Sequence, residues 1–236
     1  SLARDRLGRR WVADTSNHDG YPDAASVRPR LLRHGVLGWA EDELAGPEVT
    51  YPTGLSLTLR DEETAWMVFA ASDDSESGRD SRHLELWSVR WPEAQGQRWQ
   101  RLAAVYPAAD AGRLEKPALW LDDVPRLAAL SWPLAGGIGV VLTEGTADGT
   151  GWGAWTSLED DRALGHISPR WDSSGALWWA RIDSDEQHAV CRHHDGERGC
   201  IPIDAEALRS LVPAENGVWI SVHMDGVWSP EWVAAP

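Results

Sequence analysis

The sequence predicts an all-β protein, and two observations carry that prediction. Short apolar or alternating runs recur along the 236 residues, and Asp-Gly or Asn-Gly pairs separate several of them, which is typical of antiparallel hairpins. Helical periodicity is scarce. Only residues 203–212 (IDAEALRSLV) show the spacing of a short amphipathic helix. The chain length suits one domain, 1–236, with a sizeable core.

Seven runs are predicted to be strands. One of them, AWMVFAA, is apolar throughout, as expected of a strand that is buried on both faces. The predicted strands, in chain order, are 55–59, 65–71, 83–91, 126–132, 138–144, 176–182 and 217–224. The most apolar stretch, 127–142, is shorter than the roughly 20 residues of a spanning helix, and Pro133 and three glycines interrupt it. It therefore predicts two strands, and no direct membrane insertion is expected.

Three stretches of the chain align as repeats of similar length. Each runs from a proline through a short strand and an acidic turn to a more apolar strand, with the prolines at Pro52, Pro117 and Pro169. Two units also close alike, since Trp99 aligns with Trp155. Units of about 50 residues with about four strands resemble the blades of β-propellers of the sialidase and TolB-like kinds. The resemblance implies a β-propeller of about five blades, with four or six possible; a β-sandwich is the alternative architecture.

The charge of the chain limits its partners. The formal net charge is −15, from 37 acidic against 22 basic residues, and such a surface repels nucleic-acid backbones and acidic membranes. A glycan or another protein is therefore the expected partner. No signal peptide is visible and the chain opens at Ser1, so a mature or cut form is expected.

Tryptophan is the unusual component, with 16 Trp against three Tyr and one Phe. Indole rings fill wide gaps between sheets, and they also stack on sugars. Strand alternation places the adjacent Trp178 and Trp179 on opposite faces of one strand. If a glycan binds, the tryptophans that flank turns are the predicted ligand-binding residues: Trp152, Trp155 and Trp171.

Both cysteines lie in the stretch CRHHDGERGC, residues 191–200. With Asp195-Gly196 at the tip of a two-residue hairpin, Cys191 pairs with Cys200 at a non-hydrogen-bonded position, where the Cα atoms approach to about 4.5 Å. This geometry permits a bridge without movement of the backbone. The sequence therefore predicts a Cys191–Cys200 disulfide and a periplasmic or extracellular protein.

A zinc site is the alternative interpretation of the same stretch. Strand alternation disfavours it, because His194 falls on the face opposite His193 and the cysteines, and the ligand spacing is not that of a structural zinc site. The polar stretch DTSNHDGYPD (14–23) lacks the spacing of a calcium loop. No metal and no cofactor are expected.

Acids follow the first strand of each repeat, at Asp61, Asp122, Asp123 and Asp172. They are interpreted as turn formers, or as a source of paired carboxylates for glycoside hydrolysis. TADGTGW (146–152) is similar to the Asp-box turn of sialidases, with its glycines at another offset, and the sialidase Arg-Ile-Pro motif is absent.

Three functional hypotheses follow from these features. The first is an exported, non-catalytic binding or scaffold propeller for a glycan or a protein, favoured because no established catalytic motif is present. The second is a propeller-type glycoside hydrolase with two carboxylates. The third is an assembly module or ectodomain of a membrane-anchored protein, marked by an exposed apolar patch without a deep pocket.

Overall fold

The computed structural model describes residues 2–4, 6–14, 26–27, 29–35, 38–41, 49–50, 53–72, 82–90, 99–108, 111–133, 137–159, 165–183, 185–214 and 216–236. These residues form strands and turns, and among them there is no helix long and apolar enough to cross a membrane. In chain order the strands are β1 Leu2–Arg4, β2 Arg10–Asp14, β3 Ser26–Val27, β4 Arg30–Gly35, β5 Gly38–Glu41, β6 Val49–Thr50, β7 Thr53–Leu59, β8 Thr64–Ser72, β9 Arg82–Arg90, β10 Trp99–Val105, β11 Ala111–Trp120, β12 Arg126–Pro133, β13 Gly139–Glu144, β14 Thr156–Ser157, β15 Gly165–Trp171, β16 Leu177–Ile182, β17 His188–His194, β18 Glu197–Ile203, β19 Ala207–Ala214, β20 Gly217–Met224 and β21 Val227–Ala234.

The strands form five antiparallel units, each from one segment of the chain. Sheet I is β1-β2-β4-β5, sheet II is β7-β8-β9-β10, sheet III is β11-β12-β13-β14, sheet IV is β15-β16-β17-β18 and sheet V is β19-β20-β21. One parallel bridge between Arg82 and Arg113 joins sheets II and III, and β3 pairs with β6. The predicted all-β fold of about five units is confirmed, as are all seven predicted strands to within two residues; the sandwich alternative is not realised.

The hairpin that carries both cysteines has the predicted register. Cys191 pairs with Cys200, and the two form a disulfide with their Cα atoms 4.1 Å apart. Asp195 and Gly196 at its tip have φ angles of 51° and 81°, the left-handed values that a two-residue turn of this kind requires and that Asp and Gly tolerate. The Asp-Gly pair at 225–226 turns in the same way, whereas the pair at 19–20 lies outside the described residues.

The repeated prolines occupy equivalent places in the first strands of sheets III and IV. The register of β11 shifts between Glu115 and Ala118, which flank Pro117. The register of β15 shifts between Ile167 and the residue that follows Pro169. A proline has no N–H to donate to the ladder, so an irregularity is where a strand tolerates it. Pro52 lies outside the described residues.

The second strand of sheet II is buried on both faces, as its apolar sequence predicts. Trp66 and Val68 pack between sheets II and III. Met67 and Phe69 pack between sheets I and II. Because side chains alternate along a strand, this arrangement requires apolar residues at every position from 65 to 71.

Four apolar layers hold the five sheets together, one between each pair of neighbours. The predicted opposition of two adjacent tryptophans is confirmed in sheet IV. Trp179 packs in the layer toward sheet III, and Trp178 packs in the layer toward sheet V. Each is at most 1% exposed, so each fills the gap on its own side.

The helix predicted over 203–212 is wrong, because the segment contributes to β18 and β19. Leu208 and Leu211 both pack toward sheet IV, although they are three positions apart. A register shift between them makes this possible, since an inserted residue restores the same face after an odd spacing. The bulge thus imitates helical periodicity in the sequence.

Candidate functional site

The predicted acids lie at the turns after the first strands, and Asp172 has the most extensive contacts. Its carboxylate accepts hydrogen bonds from the Ser174 N–H and hydroxyl, the Ala176 N–H and the Trp178 indole N–H, at 2.6–3.0 Å. Burial alone would raise the pKa of Asp172, but these hydrogen bonds outweigh it and hold the pKa below its ordinary value. Asp172 is therefore engaged in holding its turn.

The other turn acids are exposed. Asp61 accepts the N–H groups of Glu63 and Thr64, at 2.8 and 2.7 Å, which is the same turn chemistry without burial. Asp122 and Asp123 lie on the surface of the β11–β12 turn. The turn-former interpretation accounts for the contacts of Asp61 and Asp172. The stretch 14–23 lies outside the described residues, apart from Asp14 in β2.

The three tryptophans proposed as ligand-binding residues are half-buried, and each indole N–H donates to a backbone carbonyl. Trp152 donates to Gly149 at 3.1 Å, Trp155 to Tyr106 at 2.8 Å and Trp171 to Ala118 at 3.0 Å. Trp152 and Trp155 pack against the layer between sheets II and III, whereas Trp171 packs against the layer between sheets III and IV. The structure thus distributes them over two layers, and their role in ligand binding stays a prediction.

The disulfide between Cys191 and Cys200 consumes both thiols of the hairpin, so neither cysteine has a thiolate to offer a metal. Burial and the positive charge of Arg126 lower the pKa of His193. No group of three or more histidines, cysteines or acids able to hold a metal occurs among the described parts of the chain.

A cavity of about 1100 Å³ lies where the β7–β8 turn meets the beginning of sheet I and the end of β9. It brings together four arginines from distant parts of an acidic chain: Arg4 from β1, Arg6 from the following turn, Arg60 from the β7–β8 turn and Arg90 from β9. The side chains of Thr64, Ser88 and Gln100 add hydroxyl and amide groups to the wall.

The cavity also contains acids, but two of them already have partners. The Asp61 carboxylate caps its own turn, and Glu63 lies 3.5 Å from Arg90. The Arg60 guanidinium stacks over Trp66, 4.8 Å from the ring centroid. A guanidinium has five N–H donors, so stacking orients Arg60 while leaving its edge available.

The turn itself explains why these groups are displayed. Asp61 ties residues 60–64 into a tight loop, so consecutive charged side chains of the sequence RDEET project from one place. Sequence reasoning missed this site because the arginines belong to three separate segments. The available signal was the concentration of arginine in the first 33 residues of an acidic chain.

Two other groups of charged side chains on β9 are occupied by ion pairs, one facing sheet III and the other on the opposite face of the strand. Arg82 bonds Glu115 at 2.7 Å, and Arg101 lies 2.8 Å from Glu85. Burial alone would raise the pKa of Glu85, but hydrogen bonds from His83 and Trp87 and the charge of Arg101 outweigh it and lower the pKa. The charges of each pair stabilise one another, so these pairs are less suited to an external ligand than the cavity.

Comparison with known proteins identifies the fold class of the chain. No family model matches the chain, and no curated protein matches it. Three solved structures resemble it: a protein of unknown function from Dyadobacter fermentans (TM-score 0.63, 14% identity, 97% of this chain and 73% of that chain), a Hadza microbial sialidase (0.57, 12%, 96% and 56%) and a fucose-specific lectin from Aleuria aurantia (0.52, 8%, 82% and 55%).

The fold is a β-propeller. The predicted fold class is thereby confirmed, and the resemblance stated from the repeats holds at the level of the propeller. At these identities the likeness shows the fold alone. The chain spans 73% of the first of these proteins and slightly more than half of the other two.

Proposed function

We propose that this chain is a non-catalytic binding propeller, and that its arginine-lined cavity recognises an acidic saccharide. The observation that carries the proposal is the gathering of Arg4, Arg6, Arg60 and Arg90 around one cavity in a chain of net charge −15. A guanidinium fork matches the geometry of a carboxylate or sulfate. The nearby hydroxyl and amide groups suit sugar hydroxyls.

The solved structures that resemble this chain also support a glycan as its ligand, because they include a sialidase and a fucose-specific lectin. The disulfide supports export to the periplasm or outside of the cell, where such bonds persist. We also propose that the blades are of the sialidase-like or TolB-like kind.

The proposal is tested by screening neutral and acidic saccharides on an array and measuring hits by calorimetry. We expect acidic saccharides to bind, and Arg60→Ala or Arg90→Ala to weaken binding about 10- to 100-fold, the loss of one charge-assisted hydrogen bond. Arg209→Ala, on sheet V, is the matched control and should bind as the wild type does. Equal loss in all three variants, or no acidic hit, would contradict the proposal.

Glycoside hydrolysis is a second candidate, because Asp61, Glu62 and Glu63 line the same cavity as the arginines. Incubating each bound saccharide with the protein and analysing the products decides between binding and cleavage. Cleavage that Glu62→Gln abolishes would favour the hydrolase. Intact saccharide after prolonged incubation would favour the binding protein.

The predicted ligand-binding tryptophans remain a separate part of the proposal. Trp155 is the best placed of them, because its partner Tyr106 is itself 56% exposed and is stacked on His83. Replacing Trp152, Trp155 or Trp171 by Phe and repeating the titration tests each ring. An unchanged affinity in all three variants would remove them from the site.

A further inference from the structure

The turn that joins β13 and β14 in sheet III has a hydrogen-bond network of its own. A bridge between Gly145 and Trp152 closes the turn. Inside it, the Asp148 carboxylate accepts the Thr146 hydroxyl at 2.6 Å and the N–H and hydroxyl of Thr150 at 3.1 and 2.9 Å. A carboxylate that bonds its neighbours in this way fixes the backbone of a turn. The turn therefore keeps one shape at the surface.

Gly149 is buried, although the residues on either side of it in this turn are exposed. Its φ is +73°, and a Cβ built on it would lie 2.6 Å from Cη2 of Trp66 and 3.1 Å from Cδ1 of Leu102. No side chain fits there without displacing a neighbour, and the left-handed backbone also favours glycine. Glycine thus lets a turn of sheet III lie directly against an indole ring of sheet II.

Trp66 connects this turn to the arginine-lined cavity. Its ring is 3% exposed, and the Arg60 guanidinium lies over it, 4.8 Å from the ring centroid. Arg60 lines the cavity and is itself an exposed residue. Because an exposed arginine otherwise samples many rotamers, the stack on Trp66 holds the guanidinium in one place at the cavity wall.

We propose that the β13–β14 turn positions the anion site, with Gly149 acting through Trp66 to hold Arg60 in its binding orientation. This inference rests on the proposed function of the cavity. Gly149 fixes the edge of the ring, the ring fixes the plane on which the guanidinium stacks, and that plane sets the direction of the N–H donors. A ligand then meets donors that are already oriented, which avoids the entropic cost of immobilising a long side chain on binding.

Gly149 is a positioning residue, because it does not line the cavity and no step of the argument has it touch the ligand. The cavity is lined mainly by side chains of sheets I and II, yet its donor geometry depends on a turn of sheet III. A purely structural role for Gly149 predicts a loss of stability alone. A positioning role predicts a loss of affinity that exists only while Arg60 is present.

Calorimetric titration with the acidic saccharide of highest affinity on the array tests the inference. We expect Gly149→Ala to raise the dissociation constant about 3- to 10-fold, the cost of immobilising one long side chain on binding. Gly151→Ala is the matched control in the same turn, because the atoms nearest to its Cβ all belong to Thr146, and it should bind as the wild type does. Asp148→Ala loosens the turn without adding an atom. It should weaken binding in the same direction, and it replaces Gly149→Ala if that variant does not fold.

A double-mutant cycle separates positioning from a general effect on the fold. In the Arg60→Ala background, Gly149→Ala should leave the dissociation constant nearly unchanged, since no guanidinium remains to be positioned. In the Arg90→Ala background it should keep its full effect, because Arg90 lies on β9 beside Glu63. Equal effects in the two backgrounds, or wild-type affinity of Gly149→Ala, would overturn the inference and leave the binding function intact.

A measurement without ligand distinguishes failure of the inference from failure of the proposed function. In proton–nitrogen correlation spectra, the Arg60 Nε–H signal is identified by its loss in Arg60→Ala, and its proton should lie upfield because it is close to the face of an indole ring. Gly149→Ala should move this signal toward that of an unstacked arginine, and Gly151→Ala should not. If no acidic saccharide binds, the proposed function fails and the spectrum alone decides: a moved signal supports the positioning role, and an unmoved signal overturns it.

Discussion

Removing the Asp172 carboxylate tests whether a turn acid stabilises the propeller from within. In Asp172→Ala, the Ala176 N–H and the Trp178 indole N–H lose their acceptor inside the protein, whereas the Ser174 hydroxyl, on an exposed residue, can turn to water. A buried donor without a partner costs about 1–3 kcal/mol. Two such donors, with partial relaxation, should lower the free energy of unfolding by about 3 kcal/mol.

Denaturation by urea, followed by tryptophan fluorescence and far-ultraviolet circular dichroism, measures this loss. For a chain of this length, about 3 kcal/mol corresponds to a melting temperature about 6–12 °C lower. Asp61→Ala is the control, because it caps an equivalent but exposed turn, and its removal should cost about 1 kcal/mol or less. Equal losses in the two variants would refute the argument from burial.

The lowered pKa of Asp172 adds a pH signature with a defined sign. Because the folded pKa lies below the ordinary value of 3.8, the ionised carboxylate stabilises the folded state above that value. This stability is lost as the pH falls through the folded pKa. Unfolding curves from neutral to acidic pH should therefore converge for the wild type and Asp172→Asn. A difference that stays constant down to the lowest pH would contradict the linkage.

Three further changes have expected outcomes. Cys191→Ala/Cys200→Ala should lose about 2.5 kcal/mol of unfolding free energy, the chain entropy of so short a loop; an unchanged urea midpoint would argue against the bridge in solution. Gly54→Ala should cost about 2–4 kcal/mol in the same assay, since φ is +55° and a Cβ would lie 2.8 Å from the β11 backbone. Glu159→Ala removes the buried acceptor of the Trp179 indole N–H and should cost about 2–3 kcal/mol, with a shifted Trp emission; full stability would show that water replaces the carboxylate.

The parts of the fold that could be predicted from sequence are those that local chemistry determines. Asp195-Gly196 sets a turn, the turn sets the register, and the register places Cys191 against Cys200. The unbroken apolar run 65–71 predicts a strand covered on both sides, because each face then needs its own apolar residues. In both cases a short segment contains the whole physical reason for the structure.

The parts that could not be predicted depend on contacts between distant segments or on an irregular backbone. The spacing of Leu208 and Leu211 indicated a helix because a bulge, invisible in sequence, returns both side chains to one face. The arginine-lined cavity joins side chains from sheets I and II, and nothing in either segment alone requires the other. Trp219 and Trp232 are 48% and 39% exposed, which alternation does not predict, because it separates the two faces of a strand without showing which face is covered.

The order of the sheets along the chain bears on how this protein folds. Each sheet comes from one contiguous segment and packs on the sheet made just before it. A ribosome therefore releases each unit after the surface on which it docks is already complete. In such an array folding propagates from one unit to its neighbour, with stability close to a sum of unit and neighbour terms. Loss of a terminal unit should then weaken its neighbour most and leave distant units nearly as stable as before.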